Sequence, residues 1–196
     1  MAVHLREGLK EQWQRLRAGL GVKPALDSLM AMYRVELREL HSAEQQLSAL
    51  AEEIWVSVRN GPLADRLSEY AAALRMREAE LERLLTAIGA ESRERPDDVM
   101  RALVEKASRT AEQSSENVRD AALVASLQRI IHYMIAEYGT IASHAKALGR
   151  MEEAAHFAEH ADRDKEVDDE LSRLANSALN PEALGTPKSS DTTRGH

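Results

Sequence analysis

Apolar residues return every three or four positions through long stretches of this chain, a spacing that places them on one face of a helix. In 26–58 the stripe is Leu29, Tyr33, Leu37, Leu40, Leu47, Ala51 and Ile54. In 63–89 it is Leu67, Tyr70, Leu74, Leu81, Leu85 and Ile88, and in 150–176 it is Ala154, Phe157, Ala161, Val167, Leu171 and Leu174. Each stripe has a carboxylate where its next apolar residue should stand: Glu44, Glu78 and Asp164. An isolated buried carboxylate is costly, so such groups are normally paired, protonated or bound to metal. Three of them converging on one bundle interior point to a metal site, present or ancestral.

The breaks between stretches organise the fold. Asn60-Gly61-Pro62 ends a helix expected over 25–59, Gly89 ends one over 63–89, and Gly149 separates one over 118–148 from one over 150–176. Pro96-Asp97-Asp98 starts a short helix to about 112, and the helix-poor run Ser114–Asn117 predicts a loop or kink. Both hairpin turns, 60–62 and 149–150, are short, so their helices should be antiparallel neighbours. The longer connection 90–117 joins the hairpins. The expectation is an all-α, ferritin-like four-helix bundle with one long crossover over 25–179. An amphipathic helix is expected in 1–24 (Leu5, Leu9, Trp13, Leu16, Leu20). Its narrow apolar face favours packing on the bundle over a dimer contact or a membrane surface. Residues 180–196, with Pro181, Gly185, Pro187 and Gly195 but no periodicity, read as a disordered tail.

Composition excludes several functions. There is no cysteine, which removes disulfides, thiolate ligands and cysteine catalysis. The net charge of −7, with both signs interspersed, gives no footprint for nucleic acid. No apolar run is long enough to insert in a membrane and the N-terminus lacks a signal-peptide pattern, so a cytoplasmic protein is expected. No Gly-rich phosphate loop or nucleophile elbow is present.

Three segments carry a resemblance. Ser42-Ala43-Glu44-Gln45-Gln46-Leu47, Leu81-Glu82-Arg83-Leu84, and Val118–Leu123 followed by His132-Tyr133 and Tyr138-Gly139-Thr140 are similar to the helices of the YciE/YciF ferritin-like family. The likeness covers roughly 26–176. It implies a ferritin-like bundle, usually a homodimer, in bacterial stress-associated proteins, with a centre resembling a di-metal carboxylate site.

Carried over position by position, that implied centre is incomplete. Glu44 matches the first-helix carboxylate. The second-helix Glu-x-x-His pair falls on Arg75 and Glu78, the two third-helix glutamates fall on Ile131 and Met134, and the fourth-helix acidic cluster falls on Asp164 and Asp168. A di-metal centre needs carboxylates from two helices and Glu-x-x-His pairs from two more. Ile131 and Met134 offer a hard cation nothing. The joint change suggests that Arg75 replaces the metal as counter-ion, forking between Glu44 and Asp164 or Glu78. His41, three before Glu44, and His160, four before Asp164, have helical ligand spacing but are more often solvated partners of an acid. Asp164 and Asp168 also read as a surface stripe with Asp162, Lys165 and Asp169. His132 and Tyr133 read as packing or dimer contacts, and His144 and His156 carry no signal. Gly139 reads as a close-packing point and Tyr138 as core. Trp13, Trp55 and Phe157 are the aromatics expected to matter outside the bundle centre.

A bundle with a vestigial metal site, no cofactor, and a structural or partner-binding role is therefore the favoured expectation. The alternative is an active di-iron or di-manganese protein with oxidase or ferroxidase chemistry. A single-metal site on Glu44, Glu78 and Asp164 lies between the two.

Overall fold

The computed structural model describes residues 26–55, 57–90 and 96–185, the side chain of Trp55 apart. The chain divides into two units, 1–32 and 33–196. In the first, only 26–32 fall among the described residues. There Ser28 Oγ accepts a hydrogen bond from Ala31 N at 3.1 Å and opens the first helix. The packing is that of the second unit.

The breaks expected from the sequence become helix ends. Helix α1 is Leu29–Trp55 and α2 is Gly61–Ala87, with Asn60 Oδ1 accepting from Leu63 N at the N-cap. The Asp120 carboxylate accepts from the Arg59 and Asn60 backbone N–H groups, so this turn is tied to the helix that carries Asp120. Helix α3 is Asp98–Gln113, α4 is Glu116–Ala147 and α5 is Met151–Leu174. At the second hairpin Gly149 sits at φ 75°, where a side chain would be strained, and Arg150 N reaches back to Ala145 O at 2.9 Å. No strand occurs among the described residues.

Four long helices bury the expected stripes. Tyr33, Leu37, Leu40, Leu47, Ala51 and Ile54 of α1 are buried against Leu67, Tyr70, Leu74, Leu81 and Leu85 of α2. Leu123, Leu127, Ile130, Ile131, Met134, Tyr138 and Ile141 of α4, with Ala154, Phe157, Ala161, Val167 and Leu171 of α5, complete the core. A fully buried leucine contributes roughly 1.5–3 kcal/mol, so these stripes are the main source of stability. The expected crossover contains α3. It is fastened at Asp97, whose Oδ1 caps the helix at Met100 N (2.7 Å) and whose Oδ2 accepts from the Tyr133 hydroxyl. The Asp97 N–H donates to Ser42 Oγ at 3.2 Å, and Gln46 Nε2 donates to its carbonyl at 3.1 Å. No helix among the described residues is long and apolar enough to cross a membrane.

Three expectations change. The tail does not begin at 180: a five-residue π segment, Ala175–Leu179, runs into a short helix α6, Asn180–Ala183. Leu179 is buried and Pro181 lies in the first turn, where its missing N–H costs nothing. Gly139 is exposed, and a Cβ there would meet no atom within 4 Å, so it is not a packing point. Phe157, expected both in the apolar stripe of its helix and among the aromatics acting outside the bundle centre, keeps only the first role: it is 1% exposed, with its ring stacked 6.5 Å from that of Tyr138. The expected helix in 1–24, Trp13, the Trp55 side chain and the tail from 186 onward lie outside the described residues.

Candidate functional site

Two acids named from the stripes, Glu44 on α1 and Asp164 on α5, are both 0% exposed and face the same polar layer. The guanidinium that meets them is not Arg75. Its side chain is 53% exposed and pairs with Glu52 at 2.8 Å on the outside of α1 and α2. Arg77, 4% exposed, occupies the inward position. Leu74 and Leu81 are both buried, and at 3.6 residues per turn either 77 or 78 can lie between them on the inner face. The backbone turns 77 inward and leaves Glu78 half-buried, accepting from Gln45 Nε2 at 2.9 Å.

Arg77 Nη1 donates to Asp164 Oδ1 at 2.8 Å and to the Tyr138 hydroxyl at 3.3 Å. The Tyr138 hydroxyl in turn donates to Glu44 Oε1. The Arg77 guanidinium also lies over the Tyr70 ring at 5.9 Å and the Tyr138 ring at 5.4 Å. One cation thus faces two carboxylates. Burial pushes Glu44 well above the usual carboxylate range, against the pull of Arg77. Asp164 is also raised by burial, opposed by the charge and hydrogen bond of Arg77. Glu44 Oε2 is buried without a hydrogen-bond partner among the described residues, and the buried Tyr70 hydroxyl faces the Asp164 carboxylate.

The other named positions diverge. Asp168 is not in the layer: its Oδ1 accepts from Gln128 Nε2 at 3.1 Å and its Oδ2 lies 3.2 Å from His132 Nε2, fastening α4 to α5. Ile131 and Met134 are buried apolar side chains. His41 is half-buried and, among the described residues, joins no metal-capable group. His160 Nε2 meets His156 and Glu80 instead of Asp164. His144 Nδ1 lies 2.6 Å from Glu36 Oε2.

A cavity of about 320 Å³ runs from this layer to the surface between α2 and α5. Glu44 and Arg77 form its floor, Leu81, Leu84 and Phe157 its walls, and Glu80, His156 and His160 its rim. Glu153 also lines it, held by Arg150 and by the Tyr33 hydroxyl. Of this rim, sequence reasoning named His160 but missed Glu80 and His156. His156 and His160 are four apart on α5, the one such histidine pair in the chain, and this spacing was the available signal. Their meeting with Glu80 is a contact between helices that no local pattern announces. Burial and the nearby Arg77 charge lower His160 to about 3, so its imidazole is neutral.

Known proteins share this architecture. YciF of Escherichia coli (strain K12) is 32% identical over 152 residues, spanning 75% of this chain and 90% of that protein. The crystal structure of the E. coli stress protein YciF superposes with a TM-score of 0.73 at 27% identity, covering 79% of this chain and 99% of that one. YcfI from Rhodopseudomonas palustris superposes with a TM-score of 0.72 at 23% identity, covering 77% and 97% respectively, a likeness of fold. The family described as "Domain of unknown function (DUF892)" matches residues 28–184, and the chain belongs to that family.

Proposed function

We propose that this chain is a non-catalytic, YciF-like helical bundle. Its centre is a di-metal carboxylate site turned into a salt-bridged core layer, and it acts in stress as a structural or partner-binding homodimer. One observation carries the reading: a buried guanidinium, Arg77, is bonded to Asp164 and, through Tyr138, linked to Glu44. A di-metal centre places several positive charges among its carboxylates and needs donors from all four helices. Here a fixed cation occupies the space between the acids, and α4 presents Ile131 and Met134. The donor set does not fit two metal ions. The name of YciF, a stress protein, supports the physiological setting, and the family resemblance supports the dimer.

The test is elemental analysis of untagged protein with melting curves in the presence and absence of Fe(II) or Mn(II). The expected result is a Tm response to either ion that is the same in the parent chain and in Glu44→Gln, since an ion held at this centre in the folded state must raise the stability of the parent alone. Two iron or manganese ions per chain, lost in Glu44→Gln and Asp164→Asn, would overturn the reading in favour of an oxidase or ferroxidase. Light scattering tests the dimer.

A further inference from the structure

Glu80 Oε2, His156 Nε2 and His160 Nε2 converge on one point at the cavity rim. Glu80 lies 3.0 Å from His156 and 3.5 Å from His160, and the two imidazole nitrogens are 3.0 Å apart. Without a cation this triangle is frustrated. A neutral imidazole offers one N–H, and whichever nitrogens carry protons, one edge sets either two lone pairs or two N–H groups against each other. A metal ion at the centre accepts lone pairs from all three and removes the conflict.

We propose that Glu80, His156 and His160 bind one divalent transition-metal ion, zinc in the first instance, with a fourth position open to the cavity. Zn–N and Zn–O bonds of about 2.0–2.1 Å in a tetrahedron place neighbouring ligand atoms about 3.3 Å apart, in the middle of the observed edges. Two imidazoles and one carboxylate are borderline donors, a set that suits zinc better than the all-oxygen shell of magnesium or calcium. His160, 5% exposed, points its Nε2 into the site, and its Nδ1 has no partner. The i, i+4 spacing of the histidines on α5 sets both rings on one face, 4.3 Å apart between centroids. Glu80 projects from α2, so the ion would clamp these helices together. The site shares no donor with the Glu44–Asp164 layer, and Ile131 and Met134 do not affect it.

The experiment is zinc titration of the chelator-treated, untagged chain, with Co(II) as a spectroscopic substitute. One ion per chain, the visible absorption of tetrahedral Co(II) and a raised Tm are expected. A first ligand should matter at least as much as a supporting partner, so His156→Ala and Glu80→Ala should each weaken zinc binding by ~100-fold or more. Both side chains are partly exposed, so these variants retain the core. Glu44→Gln should bind zinc as the unaltered chain does. Absence of zinc binding, or binding unchanged in His156→Ala and Glu80→Ala, would overturn the proposal and leave the reading of the centre intact. Zinc binding that instead disappears in Glu44→Gln would overturn both.

Discussion

The bundle centre and the cavity rim hold similar side chains at opposite states of completion. At the centre, Glu44 and Asp164 have a resident cation in Arg77, delivered by the chain itself and sealed among Tyr70, Tyr138 and apolar neighbours. At the rim, Glu80 Oε2, His156 Nε2 and His160 Nε2 crowd one another with no guanidinium bonded to them among the described residues, and the cavity gives solvent access. A guanidinium cannot leave, whereas a bound ion can. The centre is therefore a permanent feature of the fold, and the rim is a place where something exchangeable can act.

The largest effect should come from breaking the centre. Arg77→Met removes the guanidinium bonded to Asp164 and leaves that buried carboxylate uncompensated, a loss of about 3–5 kcal/mol in urea unfolding at pH 7. Protonation relieves that loss, so the variant should regain stability relative to the parent as pH falls. Next comes the rim. His160 is lowered to about 3 in the fold from an ordinary value of 6.5, so the unfolded chain binds the extra proton between these limits. Stability from this group is complete above pH 6.5 and is lost as pH falls toward 3, about 2 kcal/mol by pH 5. Glu44 and Asp164, both raised by burial, work in the opposite sense as pH falls. The His160 contribution is therefore read as the difference between the parent and His160→Asn, in chelator, across pH 5–7. A smaller effect sits outside both regions. Gly139 is in mid-helix with open space at its Cβ position, and Gly139→Ala should raise stability by roughly 0.5–1 kcal/mol in thermal melts. The smallest is Arg75→Ala, which removes an exposed pair with Glu52 and should change stability by less than about 1 kcal/mol. Set beside Arg77→Met, it separates two arginines two residues apart. A comparable loss in both would erase the distinction between inner and outer cations.

The helices, their breaks and most core positions are legible in the sequence because a 3.6-residue period and glycine or proline punctuation are local signals. Glu44 and Asp164 are legible for the same reason, as acids inside an apolar stripe. The idea of an internal guanidinium also survives, but on a different residue. From Leu74 to Leu81 the inward step can fall on 77 or 78, and periodicity cannot choose between them. Charge balance could have chosen: two buried acids need a cation, and Arg77 is the basic residue of those two. Asp168 lies one turn beyond Asp164, yet its side chain is drawn aside by Gln128 and His132, a matter of neighbours rather than of phase. His156 is not legible in this way because its partners are brought together only by the packing of α2 on α5.

The Arg77 layer has a structural consequence of its own. Leucine and alanine faces look alike from one turn to the next, so helices lined with them can slip past each other at little cost. A slip of α2 by one turn would carry the guanidinium about 5.4 Å from its acids and strand them in oil. The layer thus works as an alignment pin: it draws one point on each of the four long helices to a common level, and it singles out one register among many that grease alone would tolerate.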